Sequence, residues 1–127
     1  MTEIFVFGSN LAGRHGKGAA LHAVRHYGAE RGVGRGPTGR AYAIPTKDAA
    51  LRVRSYDAIK RDVYDFMWYA AMRPHETYMV TQIGCGLAGL EPETMAMMFE
   101  GAPHNCAFDT AWSRWLGPER TYWGTHP

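Results

Sequence analysis

The stretch Gln82-Ile83-Gly84-Cys85-Gly86-Leu87-Ala88-Gly89-Leu90-Glu91-Pro92-Glu93 limits what this chain can fold into more than any other. A β-like run over residues 77–83 enters a loop with three glycines. A helix start follows, with Pro92 at the first helical position and Glu91 and Glu93 beside it. Such a strand–glycine loop–helix joint lets backbone N–H groups point at an anion. A second joint of the same kind lies near the N-terminus. There Ile4-Phe5-Val6-Phe7 leads through Gly8, Ser9, Asn10, Leu11, Ala12, Gly13, Arg14, His15, Gly16, Lys17 and Gly18 into a helical run. Two phosphate-ready loops in one small chain point to a nucleotide with a diphosphate.

At 127 residues the chain is expected to be a single domain spanning 1–127, long enough to bury a core without staples. A net charge of +2 gives no argument for nucleic acid or a membrane surface. Arg25, Arg31, Arg35 and Arg40 crowd one segment, either as a solvated basic face or as a ligand-facing one. Cys85 and Cys106 are the only cysteines and make no disulfide framework. Together with the lack of a signal peptide or membrane-length apolar run, they lead us to expect a reducing, cytoplasmic setting.

Short apolar or β-like runs predict strands at 4–7, 41–44, 77–83 and 105–108, and helices are read at 17–27, 55–73 and 92–99, the second on apolar residues at three-to-four spacing. Gly28 and Pro74 are natural stops, Ser55 a natural N-cap, and Pro45 closes its strand. Residues 32–39 read as a loop, and the tail with Trp112, Trp115, Tyr122 and Trp123 has no clear period. Strands alternating with helices predict an α/β sandwich with a largely parallel or mixed sheet. Ligands sit outside the carboxyl ends of such strands, where both glycine loops fall.

Gly34-Arg35-Gly36-Pro37-Thr38-Gly39 matches the dinucleotide fingerprint as a string, but it precedes a strand instead of following one, so it is read as a loop. Gly13 to Gly18 has a P-loop flavour without the Ser or Thr that should follow the lysine. His22 and His26 lie four apart on a helix, and with no third ligand in view they read as packing or solvated residues; no metal or cofactor is expected. Cys85 reads as a small side chain where backbone approaches a ligand, not as a nucleophile. Lys47, just past a strand end, is a phosphate ligand, an amine nucleophile or a plain surface lysine. The tail aromatics fill the core or offer a base a stacking face, and Met95, Met97 and Met98 pack against the sheet.

Taken in order, these segments resemble the macrodomains, ADP-ribose-binding α/β/α modules, over residues 4–108. The chain is most similar to the branch containing the terminal ADP-ribose protein glycohydrolase. Arg14-His15-Gly16-Lys17-Gly18-Ala19-Ala20 is similar to the glycine-rich segment over the distal ribose and diphosphate. Ala43-Ile44-Pro45-Thr46-Lys47 is similar to the segment carrying that branch's lysine, and Ile83-Gly84-Cys85-Gly86-Leu87 to its second phosphate loop. The resemblance implies a three-layer sandwich lacking the usual first strand, with a bare sheet edge that a second subunit could cover. It implies a ligand site of Gly8, Ser9, Asn10, Arg14, His15, Gly16, Lys17 and Gly18, with Lys47 and residues Gly84, Cys85, Gly86, Leu87 and Ala88.

In that branch a lysine at the position of Lys47 attacks the distal ribose, with an aspartate where this chain has Ala88. The expectation is therefore binding of ADP-ribose or a related NAD-derived, even cyclic, nucleotide without turnover, with Asn10 on the distal ribose and either Tyr122 and Trp123 or a neighbouring subunit on the base. Short chains of this look occur in phages and bacteria, where such a binder would act as a reader or as a sponge for a signalling nucleotide, an anti-defence role in the host cytosol. The alternatives are an ADP-ribosyl hydrolase using Lys47 with Glu91 or Asp48, and an interaction protein with a vestigial pocket.

Overall fold

The computed structural model describes residues 2–126. Six strands form one sheet: β1 (Thr2–Asn10), β2 (Gly36–Thr38), β3 (Ala41–Lys47), β4 (Glu76–Val80), β5 (Cys106–Asp109) and β6 (Thr121–Gly124). Their order is β2-β3-β1-β4-β5-β6. Only the β2–β3 pair is antiparallel, so the sheet is mixed. The helices are α1 (Gly18–Tyr27), α2 (Tyr56–Ala71), α3 (Pro92–Met97) and the short α4 (Ser113–Leu116).

Alternation along the central strands divides the core into two layers. Ile4 and Val6 of β1 and Tyr42 and Ile44 of β3 face the larger core, with Phe66 of α2, Phe99 and Trp112. Phe5 and Phe7 face the other way with Ala41 and Ala43, against Ala20 and Ala23 of α1. Alanines on both elements let α1 lie close to the sheet. Ser55 caps α2 as expected, its hydroxyl accepting from Ala58 N–H at 3.2 Å. Ser55→Ala should cost about 1 kcal/mol, read as a small shift of the denaturant midpoint at unchanged m-value.

The structure departs from the sequence reading at four places. The loop over residues 32–39 contains β2, three residues long and pinned to β3 through Gly36↔Ala43. Pro45 does not close β3, which runs on to Lys47. Its missing N–H does no harm because Pro45 lies beyond the last residue paired with β2. The third predicted strand stops at Val80, since residues 81–83 turn away toward the glycine loop. The tail forms β6, parallel to β5, at one edge of the sheet.

Candidate functional site

Because β1, β3, β4 and β5 run parallel, their carboxyl ends share one edge, and a cavity of about 720 Å³ opens there. Of the residues predicted for the site, Gly8, Ser9, Asn10, Arg14, Gly16, Lys17, Gly18, Lys47, Gly84, Cys85, Gly86, Leu87 and Ala88 all line it. His15 does not. It lies under the loop, buried, its ring edge-on to Phe7 and its Nε2–H donating to the Val33 carbonyl at 3.0 Å.

Both loops present unused donors. In the first turn of α1 the N–H groups of Gly18, Ala19 and Ala20 have no intrahelical acceptor, the helical bonds beginning with Leu21 N–H to the Lys17 carbonyl. No side chain caps this terminus. In the second loop Cys85, Gly89 and Leu90 donate within the turn, whereas the N–H groups of Gly86, Leu87 and Ala88 find no acceptor among the described residues. Gly84, at φ +78°, makes the turn possible, and a Cβ there would stand 2.6 Å from Leu90 Cδ1. An added Cβ on Gly86 meets nothing.

The shape of the first loop is set by the segment whose glycines mimic a dinucleotide fingerprint. A Cβ on Gly34 would lie 2.1 Å from the Asn10 carbonyl oxygen, and one on Gly13 would lie 2.3 Å from the Gly32 backbone. Gly32 N–H donates to the Gly13 carbonyl at 2.9 Å, and the Ser9 hydroxyl donates to the Gly34 carbonyl. The Asn10 amide is spent inside the loop: Nδ2 donates to the Arg14 carbonyl at 2.8 Å and Oδ1 accepts from Arg14 N–H at 3.0 Å. Asn10 is thus a shaper of the loop as well as a lining residue.

Lys47 stands at the end of β3, beside a tight turn closed by the Asp48 carboxylate, which accepts from Ala50 and Arg52 N–H. Neither Asp48 nor the exposed Glu91 lines the cavity. Asp109, at the far end on β5, does, but it is fully buried. Its carboxylate accepts from Ala111 N–H, from the Thr125 hydroxyl at 2.9 Å and from His126 N–H at 3.4 Å.

Of the clustered arginines, Arg35 pairs with Asp62, and Arg40 donates to the His26 carbonyl over the Tyr27 ring; none of the four lines the cavity. His22 and His26 pack together, and no group of three potential ligands able to hold a metal occurs among the described residues. Met95 and Met98 are buried, while Met97 is 40% exposed.

Cys85 lines the cavity, half-buried. Burial pushes its thiol up to about 11, and the carboxylates of Asp109 and Glu91 add to the rise. A thiol two units above its ordinary 9 has about a hundredth of the thiolate. Iodoacetamide at pH 8 should therefore alkylate Cys85 about 100-fold more slowly than free cysteine. A rate equal to that of free cysteine would show the thiol to be activated instead.

No family model and no curated protein matches the chain. Among solved structures, the macrodomain of Mycobacterium tuberculosis DarG superposes with a TM-score of 0.62 at 20% identity, covering 99% of this chain and 90% of that one. The fold is macrodomain-like. A protein of unknown function from Bacteroides thetaiotaomicron aligns at a TM-score of 0.58 and 18% identity, covering 78% of each chain. A second structure from the same organism aligns at 0.57 and 16%, covering 79% of this chain and 80% of that one. At such identities the macrodomain-like likeness concerns the backbone alone.

Proposed function

We propose that the chain binds ADP-ribose or a closely related NAD-derived nucleotide, and that it does so without turning it over. The observation that carries this reading is the facing of two sets of unused backbone donors, at the start of α1 and in the loop after β4, across one cavity. Such donors suit a diphosphate, because oriented N–H groups and a helix terminus hold anions without a countercharge in the core. Lys47 lies three strands from Asp109, about 14 Å at ordinary strand spacing, which leaves room for a sugar on one side of the diphosphate and a nucleoside on the other.

Ala88, where a catalytic carboxylate would be wanted, supports binding over hydrolysis, as do the placements of Asp48 and Glu91. A lysine without an acid–base partner lacks half of the proton traffic that glycosidic cleavage needs. A binder of this kind would serve as a reader or a sponge. Among the described residues, no helix is long and apolar enough to cross a membrane.

Calorimetry with ADP-ribose tests the reading, with Gly86→Val as the partner variant. The added side chain has room, so the melting temperature should hold, while affinity should fall at least about tenfold as the backbone loses its close approach to the phosphate. Wild-type protein that gives no heat with ADP-ribose, cyclic ADP-ribose isomers or NAD would overturn it. Incubation followed by mass spectrometry separates binding from turnover: recovery of intact ligand is expected, and its consumption, lost in Lys47→Ala, would establish the hydrolase instead.

A further inference from the structure

Most of the residues lining the cavity are glycines, small side chains or aliphatic groups. Among the described residues that line it, His126 carries the only aromatic ring. The two tail aromatics expected from the sequence to meet a base are engaged elsewhere. The Tyr122 hydroxyl donates to the Gly117 carbonyl, and the Trp123 indole N–H donates to the Val80 carbonyl at 3.0 Å. Neither lines the cavity.

His126 is held where it is by several ties. β6 pairs with β5, Trp123 is bonded to β4, and the Thr125 hydroxyl and His126 N–H both donate to Asp109. The imidazole rests against His22, with ring centroids 4.6 Å apart, and edge-on near Phe5 at 5.8 Å. Burial, with His126 and His26 alongside, holds His22 below the usual imidazole value, so a neutral ring backs His126 at pH 7. The ring is therefore held in place by the tail, packed against His22 and Phe5, and it lines the cavity. It stands near Asp109, at the opposite end from Lys47.

We propose that the imidazole of His126 is the face on which the ligand's base stacks, so that the C-terminal tail makes the cavity prefer a nucleotide to a base-free diphosphate. This rests on the binding reading above and adds which end of the cavity takes the base. Every base has a π-face, so the platform demands an aromatic base and does not choose among bases.

The test uses the full chain, with ADP-ribose and inorganic diphosphate as probes, and the variants His126→Ala, His126→Phe and Thr125→Val. His126→Ala should weaken ADP-ribose by about 5- to 150-fold, the range a lost base stack commands, and leave diphosphate within about twofold. His126→Phe should bind ADP-ribose like the wild type. Thr125→Val loosens the tail without touching the ring and should weaken ADP-ribose less than His126→Ala. Equal losses for both probes in His126→Ala would overturn the proposal, because the ring would then be serving the phosphates. An unchanged ADP-ribose affinity in His126→Ala would overturn it while the binding reading stands. Wild-type protein that ignores ADP-ribose would overturn both.

Discussion

Gly34→Ala should lower the melting temperature by about 10 °C and weaken ADP-ribose binding with it. A single methyl group is added, yet it would arrive 2.1 Å from the Asn10 carbonyl oxygen and 3.1 Å from the Leu11 carbonyl carbon. Both are backbone atoms, so no side chain can swing aside. Either β1 or the segment before β2 must move, and overpacking of this kind costs about 3 kcal/mol at its upper end, about 10 °C for a domain of this size. The moving segment carries Asn10 and, through it, the turn at Arg14 that leads to the start of α1. Gly101→Ala is the control, since an added Cβ there meets nothing. Calorimetric melting of the two variants decides the matter: a Gly34→Ala protein melting within about 2 °C of the control would mean that the two segments are not clamped.

Asp62→Ala should be costlier than any surface change, by about 3–5 kcal/mol, because it strands a nearly buried cation. The Asp62 carboxylate accepts from Arg54 at 2.6 Å and from Arg35 at 2.7 Å. The Arg54 side chain is only 13% exposed, while that of Arg35 is 55% exposed, so the Arg54 contact carries most of the cost. Arg54 also donates from Nη1 to the Pro45 carbonyl and from its N–H to the Thr46 carbonyl. The ion pair thus holds the last turn of backbone before Lys47. Urea unfolding reads the stability. The double variant Asp62→Leu with Arg54→Met should recover most of the loss, since it removes the nearly buried cation with its partner and leaves unpaired only Arg35, whose side chain is 55% exposed and reaches water. A double variant as unstable as Asp62→Ala would show that the cost lies in packing and not in the stranded charge.

The glycine loops were legible because their signals are local: a short β-like run, then glycines, then a helical run, opened in the second case by Pro92. Their meeting at one edge was legible too, since parallel strands leave little choice. What the sequence hid depends on distant partners. Gly34 reads as an ordinary loop residue until Asn10 is seen beside it, twenty-four positions away in sequence. Pro45 reads as a strand stop because its neighbours across the sheet are unknown at that stage. His15 sits in the middle of a glycine-rich motif, yet the partner of its ring is Val33, so it turns inward. His126 follows a tail without periodicity, and only the placement of β6 brings it to the cavity. Asp109 carries no motif, although an acidic residue closing an apolar run at a strand end, on the ligand edge, was a signal available to be used.

The central position of β1 fixes an order of events as the chain is synthesised. β1 emerges first, but its two neighbours, β3 and β4, end at Lys47 and Val80, so it waits with both edges bare. Pairings that bridge such separations form slowly and leave unpaired edges exposed meanwhile. The last wall of the cavity is set later still, when residues 125 and 126 reach Asp109 and His22. A nascent chain released through residue 109 would already hold both glycine loops but lack the tail's ring. A ligand held as proposed would therefore meet its loop donors first and its last contact only when the tail docks.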